Sequence, residues 1–435
     1  MYPSNNLLSE QSLNSFDNDS LFEDRFQKTV KGFNRLPQEL LLKIFSHLDE
    51  RDLYNAQQVC QRWKKGALNP SLWDKLKIQG LHTTESVNDA LKKIWLFDQL
   101  KQVYIKDVLE ASVLLRQVYR CLPNLQYLII RHCSSITPMT MKAVLRKCHL
   151  LKMLDLKGTS FKDNAFLEEL PKLEHLKILN LSENEHLSIK DFIDISLNCR
   201  YLEEFYVSTI KSDTSHKRIT DDDCKFIVST MTRNLKGFCI DGATLTDACF
   251  QTILLCDKLQ HLGFHRAYNL TGKTVSVIWQ YLKNLKTLKL TFGNQIADSD
   301  IESLFLRGKM EFCRLEIVDL TGCWKISNNS ILAVSQSCPK LRKLIIKCCK
   351  KITDIAPLKK CENLEILNVS FCSELLIGPW LPVPTSIRVV FIDKGYNLNE
   401  LLHSLNTEKR KIKICICHSQ YKKSFEIYRP DSSGK

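Results

Sequence analysis

Cysteine is the residue type in this sequence whose spacing could support the most chemistry. The chain has 18 cysteines among 435 residues. Thiolates can hold zinc or act as nucleophiles, and each role demands a characteristic arrangement of partners. No CxxC pair occurs, and the densest groups are the adjacent Cys348 and Cys349 and the cluster of Cys415, Cys417 and His418. Neither group has a second half at zinc-finger spacing, so we predict no metal site.

Other signatures of catalysis are missing from the sequence as well. It contains no GxxxxGK[ST] phosphate loop, no HExxH, no GxSxG, and no GxGxxG after an apolar strand. The sequence therefore predicts no catalytic residues and no cofactor. The spacing of the cysteines needs another explanation.

That explanation is a repeat whose period is close to 25 residues. An LxxLxL pattern recurs eleven times, which falls in the range of leucine-rich repeats. Its first leucines are Leu100, Leu125, Leu151, Leu176, Leu202, Leu235, Leu259, Leu285, Leu315, Leu341 and Leu364. A single repeat cannot bury its own apolar side chains, so the repeats must stack into one solenoid with a shared parallel sheet.

Many cysteines occupy two fixed places in this repeat. Eight residues after the first leucine, a turn position is filled by Cys133, Asn184, Cys323, Cys349 and Cys372. We expect these side chains to lie inside the turn and satisfy backbone groups, with looser turns where Thr159, Ala243, Ala267 and Gly293 replace them. A second set ends the helix of its repeat, three residues before the next first leucine, at Cys148, Cys199, Cys256, Cys338 and Cys361.

The segment before the repeats has a different pattern. Apolar residues recur at helical spacing from Leu36 to Leu48, and two further short helices are predicted around Leu53 and between Val59 and Gly66. Three short helices in about 30 residues bury too little surface to be very stable alone. We therefore expect a partner to cover them.

Residues 36–76, LPQELLLKIFSHLDERDLYNAQQVCQRWKKGALNPSLWDKL, resemble an F-box, and the repeats resemble the cysteine-containing leucine-rich repeats that accompany F-boxes. The resemblance implies docking onto the small Skp-type adaptor that links F-box proteins to a cullin ubiquitin ligase. The adaptor-binding residues that it implies are Leu36, Pro37, Leu40, Ile44, Phe45, Leu48, Leu53, Val59, Cys60 and Trp63.

These observations predict an α/β fold, a leucine-rich-repeat horseshoe preceded by a small helical F-box. The predicted domains are a disordered leader at 1–31, the F-box at 32–78, the solenoid of about 11 repeats at 79–378, and an atypical C-terminal cap and tail at 379–435. Within the cap, IRVVFI and KIKICI are typical of edge or capping strands. Residues 208–218 form an insertion in the solenoid.

Alternate strand positions point away from the helices and form the concave face of the predicted horseshoe. Tyrosine beside arginine and lysine is a composition that protein interfaces favour. We predict a target site there, formed by Tyr104, Lys106, Tyr127, Arg131, Lys157, Tyr206, His261 and His265. Because basic residues outnumber acidic ones at these positions, we expect an acidic or phosphorylated protein target.

Composition restricts the setting in which the chain works. The net charge is +14, but lysine and arginine are spread along the chain, so we do not expect nucleic acid as the main partner. No apolar run is long enough to span a bilayer, and the first residues do not form a signal peptide. We expect an intracellular, cytoplasmic protein, with EKRKIKI at 408–414 as a candidate nuclear-import segment.

The sequence as a whole predicts a non-catalytic substrate-recognition subunit of an SCF-type E3 ubiquitin ligase. In this hypothesis the F-box binds the adaptor, the repeats bind a protein target, and catalysis belongs to partner subunits. The alternative is a leucine-rich-repeat binding or scaffold protein that acts outside a ubiquitin ligase.

Overall fold

A computed structural model describes residues 36–48, 50–81, 83–96, 99–133, 136–159, 161, 163–208, 218–307, 314–375, 384–393 and 413–417. The predicted leader, most of the 208–218 insertion, nearly all of EKRKIKI, His418 and the C-terminal tail lie outside these residues. The chain divides into two compact units, Met1–Asp74 and Lys75–Lys435. The predicted domain boundary at 78/79 falls within the first strand of the second unit.

The described part of the first unit contains three short α-helices and a 3₁₀ turn. They are α1 (Gln38–Phe45), α2 (Glu50–Ala56), α3 (Gln61–Ala67) and the turn Pro70–Leu72. Pro37 lies immediately before α1, where a missing N–H costs nothing. Cys60 caps α3 by accepting a hydrogen bond from the Trp63 backbone N–H at 3.5 Å. The Arg62 guanidinium donates to the Leu36 carbonyl and so ties α3 to the entry of α1.

The core of the first unit forms where α1 approaches α3. Leu41 and Phe45 are 1% exposed, and a Cβ added at Gly66 would lie 3.2 Å from an atom of each. The glycine therefore allows close packing of the helices at this point. The Phe45 ring meets the Trp63 ring edge-on, with centroids 5.3 Å apart. Trp73 is buried and donates its indole N–H to the Ala67 carbonyl at 2.7 Å.

The second unit is built on a parallel sheet in which each described strand pairs with the next along the chain. The strands are β1 (Lys75–Gln79), β2 (Gln102–Lys106), β3 (Tyr127–Arg131), β4 (Met153–Asp155), β5 (Ile178–Asn180), β6 (Glu204–Val207), β7 (Gly237–Asp241), β8 (His261–His265), β9 (Thr287–Leu290), β10 (Ile317–Asp319), β11 (Lys343–Ile345), β12 (Ile366–Asn368), β13 (Val389–Asp393) and β14 (Lys413–Cys417).

Helices connect most of the strands. The α-helices are α4 (Thr84–Leu96), α5 (Ala111–Cys121), α6 (Pro138–Lys147), α7 (Ile189–Asn198), α8 (Asp221–Met231), α9 (Phe250–Ile253), α10 (Gly272–Val275), α11 (Ile278–Tyr281), α12 (Asp298–Arg307) and α13 (Asn328–Ser337). The 3₁₀ helices are Ala165–Lys172, Asp247–Cys249 and Ala356–Lys360. The alternation of strand and helix confirms the predicted α/β solenoid.

Side chains alternate along the strands as the pattern predicts. Leu128 and Ile130 of β3 point inward and are fully buried, as are Leu344 and Ile346 in β11 and just after it. The sheet continues past the last LxxLxL repeat, because β13 pairs with β12 and β14 pairs with β13 in the same parallel register. IRVVFI and KIKICI therefore contain strands that prolong the sheet.

Most of the described repeats turn at the same place, seven residues after the first leucine, and Gly242 of the Leu235 repeat is the exception. The residue there has a positive φ in repeat after repeat, a conformation that is uncommon without glycine. The positions are Asp107, His132, Gly158, Glu183, Arg266, Phe292, Gly322, Cys348 and Phe371, with φ between 51° and 69°. Gly80 has the same conformation after β1, at φ 66°. This shared turn keeps successive repeats in register.

The next residue lies inside the turn and donates to buried carbonyls, as predicted. The thiol of Cys323 donates to the Leu290 carbonyl of the preceding repeat at 3.0 Å, and Cys349 and Cys372 repeat the arrangement. The Asn184 amide donates to Leu156 O at 2.8 Å. The expected looser turn is wrong for Thr159, whose buried hydroxyl lies 2.6 Å from Leu156 O.

A second ladder runs along the helix N-termini of the later repeats. The Asp221 carboxylate accepts from the Thr246 N–H at 2.8 Å, and Asp298 accepts from the Ser327 N–H at 2.7 Å. Each carboxylate thus lies near the N-terminal turn of the next repeat's helix, where unpaired N–H groups favour negative charge. Burial raises the pKa of Asp298, but its hydrogen bonds from Ser327 and Ser330 outweigh burial, and the net shift is downward.

We predict that most cysteines are inaccessible in the native protein. Among those described, Cys60 is exposed, Cys121, Cys348 and Cys415 are half-buried, and the remaining twelve are buried. A thiol reagent should therefore label Cys60 first, few sites before unfolding, and nearly all after unfolding without reductant. Mass spectrometry of the labelled chain measures this, with Cys60→Ser as the control. Sites that stay unlabelled after unfolding would contradict the prediction.

The same burial predicts loss of stability at alkaline pH. Burial raises the pKa of Cys148, Cys199 and Cys372 to about 12, from an ordinary 9.0. These thiols ionise in the unfolded chain at lower pH than in the folded chain, so the free energy of unfolding should fall as pH rises from about 9 to about 12. Denaturant titration at several pH values measures the slope. Cys148→Ala should reduce it.

Candidate adaptor and target surfaces

The predicted adaptor-binding residues divide into three groups by exposure. The exposed group contains Pro37, Leu40, Ile44, Val59 and Cys60. Three of these are large apolar residues: Leu40 is 48% exposed, Ile44 is 41% exposed and Val59 is 62% exposed. Leu36, Leu48 and Trp63 are half-buried. Phe45 and Leu53 are buried, at 1% and 3% exposure.

Burial gives Phe45 and Leu53 a different role from the one implied by the resemblance. Both lie in the core of the first unit, so they hold the helices together and present no surface to a partner. Leu40 and Ile44 lie one turn apart on α1 and share its outer face. Tyr54 on α2 adds a further exposed ring, at 54%, which the sequence interpretation missed.

The first predicted target patch lies on strands β2 and β3. Tyr104 pairs with Ile129 and Gln102 pairs with Tyr127, so the two tyrosines are diagonal neighbours. Both are half-buried. Burial raises the pKa of the Tyr104 hydroxyl above its ordinary 10.0.

Arg131 does not project from this patch as a free cation. Its guanidinium lies 2.6 Å from Asp155 Oδ2, and the two side chains are 7% and 1% exposed. The same oxygen accepts from the Asn180 amide at 3.2 Å, while Asp155 Oδ1 accepts from the Lys157 N–H at 3.0 Å. The ion pair thus belongs to a buried network that joins three strands.

The two lysines at the edge of the patch also have acidic neighbours. Lys157 Nζ lies 3.3 Å from Glu183, and Lys106 Nζ lies 3.7 Å from Asp107. Burial lowers the pKa of Lys106 from its ordinary 10.5, although Asp107 opposes the shift. The count of basic over acidic concave residues therefore overstated the positive charge, because the acidic partners at 107 and 183 lie in the turns after the strands.

The second predicted patch is interrupted by glycines. The Tyr206 hydroxyl donates to Glu204 at 2.6 Å and lies over Gly237, where a Cβ would be 2.5 Å from that oxygen. His261 Nδ1 is 2.9 Å from the Thr287 hydroxyl. Strand β7 therefore lies between Tyr206 and His261, and each of the two side chains forms its hydrogen bond with another residue of the sheet. His265 pairs in register with Asp241. Residues 209–217 of the insertion, predicted to overhang this patch, lie outside the described residues.

Strand β1 supplies concave residues that sequence reasoning missed. Lys75, Lys77 and Gln79 are exposed, and the Lys77 ammonium lies 5.6 Å from the centroid of the Tyr104 ring. The signal was a Trp73-x-x-Leu76-x-Ile78 variant of the repeat pattern. At the other end of the sheet, half-buried apolar side chains occupy the concave rows, namely Ile317, Ile345, Ile366, Val389 and Phe391.

The described residues contain no group of three or more His, Cys, Asp or Glu side chains placed to hold a metal ion. Among the described helices, none combines the length and the apolar character that a membrane crossing requires.

We predict that Asp155 contributes mainly to stability. Asp155→Ala leaves the Arg131 guanidinium buried without its carboxylate, which should lower the free energy of unfolding by about 3 kcal/mol. Asp89→Ala is the matched control, because the Asp89–Lys92 pair is 3.4 Å apart but highly exposed, and should cost less than about 0.5 kcal/mol. Chemical denaturation of both variants measures this. Equal losses would show that the Arg131–Asp155 pair is not structural.

Known proteins resemble this chain in both units. A family model described as F-box-like matches residues 33–79. The chain is 24% identical over 257 residues to F-box protein SKIP19 of Arabidopsis thaliana, which covers 55% of this chain and 70% of that protein. It is 25% identical over 221 residues to the putative F-box/LRR-repeat protein 23 of Arabidopsis thaliana, which covers 41% of this chain and 48% of that protein.

A solved structure shares the fold. A chain in the crystal structure of the Rad7 and Elc1 complex in yeast superimposes with a TM-score of 0.52 at 15% identity, covering 84% of this chain and 95% of that chain. With an F-box-like domain at residues 33–79 and a parallel leucine-rich-repeat solenoid after it, the chain is similar to F-box/leucine-rich-repeat proteins.

Proposed function

We propose that the chain is a substrate-recognition subunit of an SCF-type E3 ubiquitin ligase. The F-box would bind a Skp-type adaptor and through it a cullin, and the repeats would bind a protein target. The observation that carries the proposal is the exposed apolar surface of Leu40, Ile44 and Val59 on a small F-box-like unit.

The burial pattern of the first unit supports docking over a purely structural role. Its own core already uses Leu41, Phe45 and Leu53, so the exposed apolar residues are not needed for folding. Three large apolar side chains above 40% exposure within about 20 residues form the kind of surface that a partner covers. Burying each of them would contribute about 1.5–3 kcal/mol.

No catalytic group is needed for this function. A receptor that holds the target beside a ubiquitin carrier accelerates transfer by raising the effective concentration of target lysines. The chemistry would then belong to partner subunits, in keeping with the absence of catalytic motifs from the sequence.

The concave face is the proposed target site, with Tyr104 and Tyr127 as its aromatic contacts. An acidic or phosphorylated target stays a prediction, and the partners of Arg131 and Lys157 reduce its support at this patch. Lys75 and Lys77 on β1 are exposed beside it and restore some positive charge.

We predict that Leu40→Ala combined with Ile44→Ala abolishes adaptor co-purification. The double change removes apolar contact worth about 3 kcal/mol or more, a weakening of over about a hundredfold. The full-length chain is expressed with a Skp-type adaptor and recovered by affinity purification. Circular dichroism should show both proteins folded.

The matched control is Leu306→Ala with Leu332→Ala, which removes two similarly exposed side chains from helices α12 and α13. It should retain the adaptor. If the F-box variant retains the adaptor as well, then the proposed docking surface is wrong. If the unchanged chain does not recover the adaptor, then a binding or scaffold function outside a ubiquitin ligase is favoured.

We predict that Tyr127→Ala weakens target capture by about 2 kcal/mol, or roughly thirtyfold, because a truncated aromatic anchor loses buried area. The target is first identified by affinity purification and mass spectrometry with and without proteasome inhibition, and its binding is then measured with purified proteins. Phe226→Ala, an exposed aromatic on helix α8, is the control and should change little. Weakening by the α8 variant alone would place the target away from the concave face.

A further inference from the structure

The turns that follow strands β9, β10 and β11 carry a group of aromatic and basic residues outside the predicted target site. We name this group the loop-edge patch. It consists of Phe292, Trp324, Lys325, Lys347, Lys350 and Lys351. All of its members lie at the end of a strand or in the turn that follows, which places them along one edge of the sheet.

The repeat geometry brings these residues side by side. Trp324 and Lys350 are each the ninth residue after a first leucine, and Lys325 and Lys351 are each the tenth. Because β10 and β11 pair in parallel register, equivalent turn residues of these repeats lie about 5 Å apart. The patch is therefore a surface formed by adjacent repeats and not a scatter of single side chains.

Gly322 shapes the aromatic part of the patch. A Cβ there would lie 2.5 Å from Cδ1 of Phe292, so the absence of a side chain lets the Phe292 ring lie across the neighbouring turn. The Tyr268 ring meets Phe292 at 6.4 Å on the other side. Trp324, next to this pair, leaves 51% of its surface exposed. Phe292 and Tyr268 thus form an aromatic pair, and the Trp324 ring is exposed and available to a partner.

The charge of the patch contrasts with that of the concave face. On the concave face, Arg131 and Lys157 each pair with a carboxylate. Within the described part of the chain, no ion pair involves Lys325, Lys347, Lys350 or Lys351. The Lys347 ammonium instead lies 5.3 Å from the centroid of the Phe371 ring. Four lysines for which the described residues provide no ion pair therefore share these turns with the exposed tryptophan.

Two carboxylates near these turns are bonded to backbone groups, whereas a third, Glu374, is the tenth residue of the next repeat and so occupies the position equivalent to Lys351. Asp393 accepts from the Phe371 N–H at 2.7 Å, and Asp354 accepts from the Ala356 N–H at 2.8 Å. Both are committed to backbone groups of the fold. A binding partner with carboxylates would supply what the patch lacks.

We infer that the loop-edge patch binds an acidic segment of a protein, with one apolar side chain on Trp324 and flanking carboxylates on the lysines. The inference rests on the proposed function only in taking that protein to be the target. A single open ring among lysines suits one apolar anchor, whereas single-stranded nucleic acid is held by successive stacking rings. The neighbouring repeats have Asn294 and Lys350 at the position of Trp324, so this row of turn residues does not continue as a series of stacking rings.

The test measures binding of a defined probe to the full-length chain. The probe is a fluorescein-labelled peptide in which glutamates flank one phenylalanine. Its binding is measured by fluorescence anisotropy at about 50 mM and about 200 mM salt. Lys350→Glu with Lys351→Glu should weaken binding about tenfold at low salt and less at high salt. Trp324→Ala should weaken it about fivefold at both, because apolar contact is not screened.

Lys359→Glu with Lys360→Glu is the matched control, since it makes the same charge change on exposed residues of the 3₁₀ helix in the same repeat. It should change binding less than about twofold. Thermal unfolding of each variant checks folding. Equal weakening by the control would reduce the effect to net charge and overturn the inference.

Two further outcomes would overturn it. One is unchanged binding by both patch variants, and the other is tighter binding of a single-stranded DNA oligonucleotide that the same variants abolish. Adaptor co-purification by the patch variants separates this inference from the proposed function. If the peptide result holds while the unchanged chain lacks the adaptor, the patch stands and the ligase assignment falls.

Discussion

The fold depends on one constraint, which is that each turn after a strand must satisfy the carbonyls it buries. A chain that leaves the sheet carries polar backbone groups into the interior, where an unpaired group costs about 1–3 kcal/mol. The repeat meets this constraint in two adjacent positions. A residue with positive φ reverses the chain, and the next side chain donates to a carbonyl of the preceding repeat, as Cys349 does to Leu320 at 3.1 Å. Where this side chain donates to the preceding repeat, as in Asn184, Cys323, Cys349 and Cys372, it ties the two repeats together.

This arrangement explains which residues the sequence can use at the turn. A thiol donates one hydrogen bond in little space, whereas the Asn184 amide donates to Leu156 O and Leu181 O from one nitrogen. The Thr159 hydroxyl donates to Leu156 O of its own repeat. The position therefore accepts several small residues, and cysteines there are explained by their hydrogen bonds without any reactive role. Burial also raises their pKa and suppresses the nucleophilic thiolate.

The periodic features of the fold could be predicted from the sequence, and the pairwise ones could not. The LxxLxL spacing predicted the parallel strands, and helical spacing predicted α1 and α3, because each pattern reflects a local geometry. Strand β1 was missed because Trp73 replaces the first leucine. The Arg131–Asp155 pair joins residues on neighbouring strands, and its existence follows from register and side-chain reach, which no local pattern encodes.

The same limit applies to the F-box residues. The sequence groups Phe45 with Ile44 as adjacent apolar positions, but one is 1% and the other 41% exposed, since successive residues of a helix point about 100° apart. A motif match identifies positions that matter without separating those that hold the unit together from those that meet a partner. Exposure in the folded unit makes that separation.

When the cations of a repeat are paired with carboxylates of the same solenoid, little net charge is left for a partner to recognise. Where Asp155 neutralises Arg131 and Glu183 neighbours Lys157, the concave face offers shape and aromatic area more than net charge. Specificity then has to come from residues that the repeat does not require. Trp324 is such a residue, because its turn position is filled by Asn294 and Lys350 in the neighbouring repeats. Variation at these turn positions changes the surface without disturbing the buried donors beside them, so the solenoid can alter what it binds while its fold is retained.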